Sequence, residues 1–255
     1  MNTYFSTSNL KISAAGGHLT SANSPSGELL FLSSATEEGE GKAIRGGVPI
    51  IAPYFGTLLG IEPSHGWARR SIWEVTQAEA ETESLHASIS REGLALDVHA
   101  QELDDGFSIS LRLTNTTDAV ETVQLAFHPY FKVSNIGDAQ VEGFDGVEVL
   151  DRLTDTTSTQ VGAITFDGEF DRIALGTPTA IISDAKRTIT ITAQGHDSTV
   201  VWNPGEARAA ELKDLGAGEW QDFVCVEPAL LGADQQGVKV APQESVTLEM
   251  TVRAN

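Results

Sequence analysis

Along much of this chain apolar and polar residues alternate one for one. Ile109, Leu111 and Leu113 are interleaved with Ser108, Ser110, Arg112 and Thr114, and Asn115-Thr116-Thr117-Asp118 then breaks the run. Ile189 and Ile191 stand among Thr188, Thr190 and Thr192, and Val246, Leu248, Met250 and Val252 alternate with Thr247, Glu249 and Thr251. A period of two puts every second side chain on one face, the pattern of a half-buried antiparallel strand. Leu94–Leu103 and Val120–Phe127 read as further strands. Between the runs lie turn signals such as Asp104-Asp105-Gly106, Asn135-Ile136-Gly137-Asp138, Phe144-Asp145-Gly146 and Asp167-Gly168. Helical signals are few. Glu206–Leu212 could form two turns with Gly216 beyond its end, and Glu219–Phe223 one short turn. No repeat of fixed period and no glycine-proline linker divides the chain. The pattern predicts one all-β domain over residues 1–255, a large antiparallel β-sandwich with few short helices.

Charge narrows the partners. With 16 basic and 36 acidic residues the formal net charge is −20. Such a field repels nucleic acid and anionic membranes, and it makes any local cluster of arginines informative. Cys225, the one cysteine, excludes an internal disulfide, fits a reducing compartment and reads as a small buried hydrophobe. The segment Met1-Asn2-Thr3-Tyr4-Phe5-Ser6 lacks signal-peptide chemistry, and no apolar run approaches the roughly 18 residues of a membrane helix. The expectation is a cytoplasmic protein. No amphipathic helix offers an assembly interface, which favours a monomer.

Five stretches carry chemistry. In Phe223-Val224-Cys225-Val226-Glu227-Pro228 a lone carboxylate follows an apolar run. A strand ended by Pro228 would leave Glu227 partly desolvated at its tip, with a raised pKa suited to a general base. A solvated turn glutamate is the competing reading. In Arg45-Gly46-Gly47-Val48-Pro49-Ile50-Ile51-Ala52-Pro53 the glycines allow close backbone approach and the prolines rule out a central strand, so an ordered loop is expected. His65-Gly66-Trp67-Ala68-Arg69-Arg70 follows. Three arginines and a histidine in two glycine-containing loops suggest an anion site, with pairing to surplus carboxylates as the alternative. His128 lies between aromatics in Phe127-His128-Pro129-Tyr130-Phe131, as a core residue or a cleft-lining acid, and Asp171-Arg172 supply further polar groups. Phosphate-binding, dinucleotide-binding, metal-ligand and serine-nucleophile motifs are missing, so no cofactor and no metal are expected. The remaining set suits proton transfer on a polar small molecule.

Arg45-Gly46-Gly47-Val48-Pro49, His65-Gly66-Trp67-Ala68-Arg69, His128-Pro129-Tyr130-Phe131, Asp171-Arg172, Val201-Trp202-Asn203-Pro204 and Cys225-Val226-Glu227-Pro228 occur in this order over most of the chain. In that, the sequence resembles the hexose-6-phosphate mutarotase branch of the aldose 1-epimerase superfamily. The resemblance implies the galactose-mutarotase-like super-sandwich and interconversion of the α and β anomers of a hexose 6-phosphate, glucose 6-phosphate first. It implies that Glu227 takes the proton of the C1 hydroxyl, His128 protonates the ring oxygen, and Asp171 orients sugar or histidine. Arg45 and Arg69, with His65 beside them, would bind the phosphate. The sequence departs from the family pattern at Pro129, Ala229 and Gly205, positions near the sugar rather than at the acid, base or arginines. An aldose 1-epimerase for neutral sugars and a non-catalytic carbohydrate-binding β-sandwich are the alternatives.

Overall fold

The computed structural model describes residues 4–77 and 83–255. Met1 to Thr3, part of the segment read as lacking a signal peptide, lie outside them. The architecture is all-β, and among the described residues two eight-stranded antiparallel sheets dominate. One sheet runs in the order 140–142, 180–183, 188–194, 245–254, 106–115, 94–103, 84–91 and 74–77. The other runs 156–159, 148–151, 170–174, 198–203, 223–230, 125–127 and 50–51, with 130–132 also paired to 223–230.

The predicted alternation is realised as strands Gly106–Asn115, Thr188–Gln194, Ser245–Ala254 and Leu94–Leu103. Leu96, Val98, Leu111, Leu113, Leu248 and Val252 all point inward and are fully buried. They meet Val201, Val224 and Val226 from the second sheet in one core. Each such side chain removed from water is worth about 1.5–3 kcal/mol, so this shared face holds the sheets together.

Three expectations are corrected. Val120–Phe127 is not one strand but two, Glu121–Val123 and Leu125–Phe127, in different sheets. The break falls at buried Gln124. Its Oε1 accepts from the Phe55 amide at 3.0 Å, and its Nε2 donates to the Leu231 and Gln235 carbonyls at 3.1 and 2.8 Å. A buried amide needs these partners, and satisfying them takes the residue out of the ladder. The helix predicted over Glu206–Leu212 is only Gly205–Ala209, followed by turns. So short a helix gains few backbone bonds against its nucleation cost.

The third correction concerns Pro228. It does not end its strand, which continues from Phe223 to Leu230 with Pro228 opposite Thr199. On the other edge, residues 125–126 pair with Leu230 and Ala229, and residues 130–132 with Cys225, Val224 and Phe223. No partner is registered there for Val226, Glu227 or Pro228. The Ala229 carbonyl accepts from Asp197 on the 198–203 side. Alternation therefore turns the Pro228 nitrogen toward the unpaired gap, where its missing N–H costs no ladder bond. The prolines of the Arg45 stretch act as expected. Pairing there is limited to a two-residue edge strand, Ile50–Ile51, and single bridges from Gly46 and Val48. No helix among the described residues is long and apolar enough to cross a membrane.

Candidate active site

Cross-strand partners in a sheet point to the same face. The register aligns Asp171, Trp202, Cys225 and Tyr130 in one row across four strands. Ile173, Val200 and Glu227 form the next row. This face turns away from the main core, and a cavity of about 280 Å³ opens on it. His65, Arg69, His128, Arg152, Asp171 and Glu227 are among the side chains lining it, with Arg45 at its wall.

His128 occupies the gap opposite Glu227. The chain pairs with the 223–230 strand through Ala126, leaves it at His128-Pro129, and rejoins it at Tyr130. The His128 amide donates instead to the Pro49 carbonyl at 3.1 Å. The excursion carries the imidazole to Glu227, with Nε2 at 3.3 Å from Oε1. Tyr130 stacks on the imidazole at 5.0 Å between centroids, and Trp202 meets it edge-on at 5.7 Å. His128 Nδ1 and Glu227 Oε2 are buried without a hydrogen-bond partner among the described residues.

Burial dominates the electrostatics of the pair. It pushes the Glu227 carboxyl well above its usual range, helped by the nearby Asp171 charge. It pushes His128 well below, helped by His65 and then Arg69 and Arg45. Burial thus disfavours charge on either group and favours the shared proton on the carboxyl.

The two arginine loops converge on the same cavity through close backbone contacts. Gly47 has φ 58°, and a Cβ there would lie 2.3 Å from the Leu19 carbonyl oxygen and 2.7 Å from His18 Nε2. Gly66 has φ 69°, and its Cβ would lie 2.0 Å from the Ala52 oxygen. Only glycine lets these strands and loops touch. His65, next to Gly66, accepts a hydrogen bond on Nδ1 from the Gly56 amide at 3.2 Å. Burial, with Arg69 and Arg152 near, keeps its pKa well below normal. The neutral ring must then carry its proton on Nε2, a donor for whatever fills the cavity.

The arginines differ. Arg45 Nη2 is forked onto the Asp214 carboxylate at 3.0 and 3.1 Å, and Nη1 donates to the Tyr130 hydroxyl at 2.8 Å. Burial opposes its charge, but Tyr130 and Asp214 more than restore it. Arg69 has no carboxylate partner among the described residues. It donates to the Ser64 carbonyl at 3.1 Å, and its Nε is buried without a partner. Burial, with Arg45 and Arg70 close by, brings its pKa down to about 10.

Of the residues expected from the sequence, Arg45, His65, Arg69, His128, Asp171 and Glu227 all line this one cavity. Arg172 does not. It bonds Asp151 at 3.0 Å and Gln160 at 3.2 Å, one position out of phase with Asp171 on the strand. Arg70 is exposed and lines a separate hollow beside Trp67 and Arg91. Sequence reasoning missed Arg152, Glu169 and Arg208. Arg152 sits 3.3 Å from Asp171, whose pKa burial nevertheless raises. An arginine just past a strand end carries no spacing that marks it, and only the pairing of strands brings it to Asp171. Cys225 is buried as expected, and burial beside Glu227 holds its thiol well above the usual range. Ligand atoms of His128, Cys225 and Glu227 lie within 4.8 Å of one another. Burial favours the protonated thiol and carboxyl, which works against a metal there, since ligation needs both deprotonated.

The family model for aldose 1-epimerase matches residues 5–253. The chain belongs to the aldose 1-epimerase family. Within it, a Cenchrus ciliaris protein named "putative glucose-6-phosphate 1-epimerase" is 35% identical over 239 residues, 84% of this chain and 72% of that one. An Escherichia coli protein of the same name is 31% identical over 243 residues, 89% of this chain and 81% of that one. A crystal structure of a Salmonella typhimurium protein described as a "putative mutarotase" superposes with a TM-score of 0.82 at 25% identity. The match covers 99% of this chain and 90% of that one. A Synechocystis protein shares the fold, with a TM-score of 0.81 at 19% identity and coverage of 100% and 98%. The fold is the galactose-mutarotase-like sandwich, and the chain is an enzyme of the aldose 1-epimerase family acting as a mutarotase.

Proposed function

We propose that this mutarotase interconverts the anomers of a hexose 6-phosphate, with glucose 6-phosphate as its substrate. The observation that carries the phosphate is Arg69. It is a largely buried guanidinium with Arg45 and Arg70 near it and no carboxylate bonded to it among the described residues. In a chain of net charge −20, a buried arginine that no carboxylate bonds directly among the described residues favours an incoming anion. Arg45 stands beside it as the second ligand, and the Nε2–H of His65 is a donor to a sugar or phosphate oxygen.

Glu227 and His128 perform the chemistry. In the reactive form Glu227 is a carboxylate and His128 an imidazolium. Glu227 takes the proton from the C1 hydroxyl, the O1–H electrons form the C1=O bond, and the C1–O5 bond breaks. Its electron pair takes the proton of His128. The open aldehyde rotates about C1–C2, and closure from the other face reverses both transfers. The ring-open state leaves Glu227 protonated and His128 neutral, which is also the state burial favours without substrate. Both states carry one proton, so no exchange with solvent is required in a cycle. Each positioned transfer contributes about 10²–10⁴-fold. Asp171, held by Arg152 at 3.3 Å, binds sugar hydroxyls.

A neutral aldose is the second reading, because Asp214 already satisfies much of Arg45. A polarimetric or coupled anomerisation assay on glucose 6-phosphate and free glucose separates the two. Much higher kcat/KM for the phosphosugar is expected, and equal values would overturn the phosphosugar assignment.

A further inference from the structure

Tyr130 touches both ends of the site. Its hydroxyl accepts from Arg45 Nη1 at 2.8 Å. Its ring lies 10° from parallel to the His128 imidazole at 5.0 Å. That imidazole in turn meets Glu227 at 3.3 Å. The ring has little freedom of its own. It is 2% exposed and walled by Phe223 at 4.9 Å and by Trp202 edge-on at 6.1 Å. The imidazole cannot turn about its ring bond without breaking the stack on one side or the Trp202 edge contact on the other. Arg45 cannot swing toward Asp214 alone without leaving the Tyr130 hydroxyl unpaired in a buried place, which is unfavourable.

We propose that Tyr130 is a positioning residue for both halves of the reaction: its hydroxyl aims Arg45 at the substrate anion, and its ring sets the plane of His128. The proposal rests on the phosphosugar reading for its first half only, since orientation of the proton-transfer pair matters for any aldose. It also accounts for the contrast between the arginines. Arg69 is left open to bind, whereas Arg45 is fixed in direction by two partners. Burial keeps the Tyr130 phenol protonated, its pKa pushed up well beyond reach. Its hydroxyl therefore stays a neutral acceptor at every working pH and does not compete with the substrate as an anion.

The test compares wild type, Tyr130→Phe, Tyr130→Leu and Arg45→Ala on glucose 6-phosphate and glucose. Tyr130→Phe keeps the stack and loses the hydroxyl. Its KM for glucose 6-phosphate is expected to rise about tenfold, with KM for glucose and both kcat values unchanged. An equal change for the two sugars, or none, overturns the role of the hydroxyl. Tyr130→Leu, checked for folding by circular dichroism, is expected to lower kcat for both sugars by about 100-fold. By letting water reach the imidazole it should also move the acid limb of the kcat profile upward, a shift that Tyr130→Phe should not show. A folded Leu variant with wild-type kcat and profile overturns the role of the ring. If wild type shows equal kcat/KM for the two sugars, the phosphosugar reading fails. If wild type prefers the phosphosugar but Arg45→Ala affects both sugars equally, only the first half of the proposal fails. The Leu variant decides the second half in either case.

Discussion

His128 Nε2 and Glu227 Oε1 lie 3.3 Å apart in a place where burial disfavours charge on either group. The carboxyl is pushed up and the imidazole down, both chiefly by burial. Glu227→Gln keeps the shape and removes the base. Anomerisation should fall by about 10²–10⁴-fold toward the uncatalysed rate, measured polarimetrically. A rate near wild type would exclude Glu227 as the base.

The same substitution should stabilise the protein at neutral pH. The folded pKa of Glu227 lies above its ordinary 4.5. Its contribution to stability is therefore intact below that value and is lost as pH rises toward the folded one. Glu227→Gln should melt higher than wild type at pH 7–8 and approach it below 4.5. Thermal melts across this range check the sign.

Activity should follow a bell. The working pair carries one proton. The alkaline limb marks its loss, well above the ordinary carboxyl value of 4.5, and the acid limb marks a second proton entering below the ordinary imidazole value of 6.5. The limbs report the pair, not either residue alone. A profile of kcat/KM with an acid limb above 6.5 would contradict the burial of His128.

Arg69→Ala should raise KM for glucose 6-phosphate by roughly tenfold to a hundredfold and leave glucose nearly unchanged, as expected for a charged hydrogen bond. Arg45→Ala should raise it about tenfold, as Tyr130→Phe does, because Asp214 already takes two of the Arg45 contacts. Steady-state kinetics on the two sugars gives both ratios, and equal effects on the two sugars would remove the phosphate from Arg69.

Acid should unfold the protein through its buried histidines. His18 donates from Nε2 to the Gly46 carbonyl at 2.7 Å, and burial lowers its pKa to about 4. A histidine held neutral in the fold contributes stability above 6.5 that is lost as pH falls toward 4. For His18 alone this is about 3 kcal/mol. His65 and His128 add to it in the same direction. Denaturant melts between pH 7 and 4 should show this decline, and a flat profile would refute it.

Much of the fold was legible because period-two alternation is a direct image of a sheet with one buried face. Thr188–Gln194 and Ser245–Ala254 needed no more than that. The six candidate site residues were legible only together: each taken alone kept a structural reading, and the order of their motifs along the chain, matching a family pattern, singled them out. What escaped were facts of pairing. Gln124 divides a strand because three distant backbone groups need its amide. Pro228 sits mid-strand because the neighbouring edge is open just there. Arg152 reaches the cavity because its amide pairs with the Asp171 carbonyl at 2.9 Å. None of these is written in local sequence.

The gap along the 223–230 strand ties the enzyme's competence to the alignment of its backbone. Glu227 faces the cavity only while Val200 stands opposite it. A slip of one position would hand that place to Val226 or Pro228 and send the carboxylate into the apolar interior. Misaligned chains would thus be both inert and unstable. The rate of anomerisation, divided by protein concentration, becomes a count of the molecules whose sheet has closed in the right register.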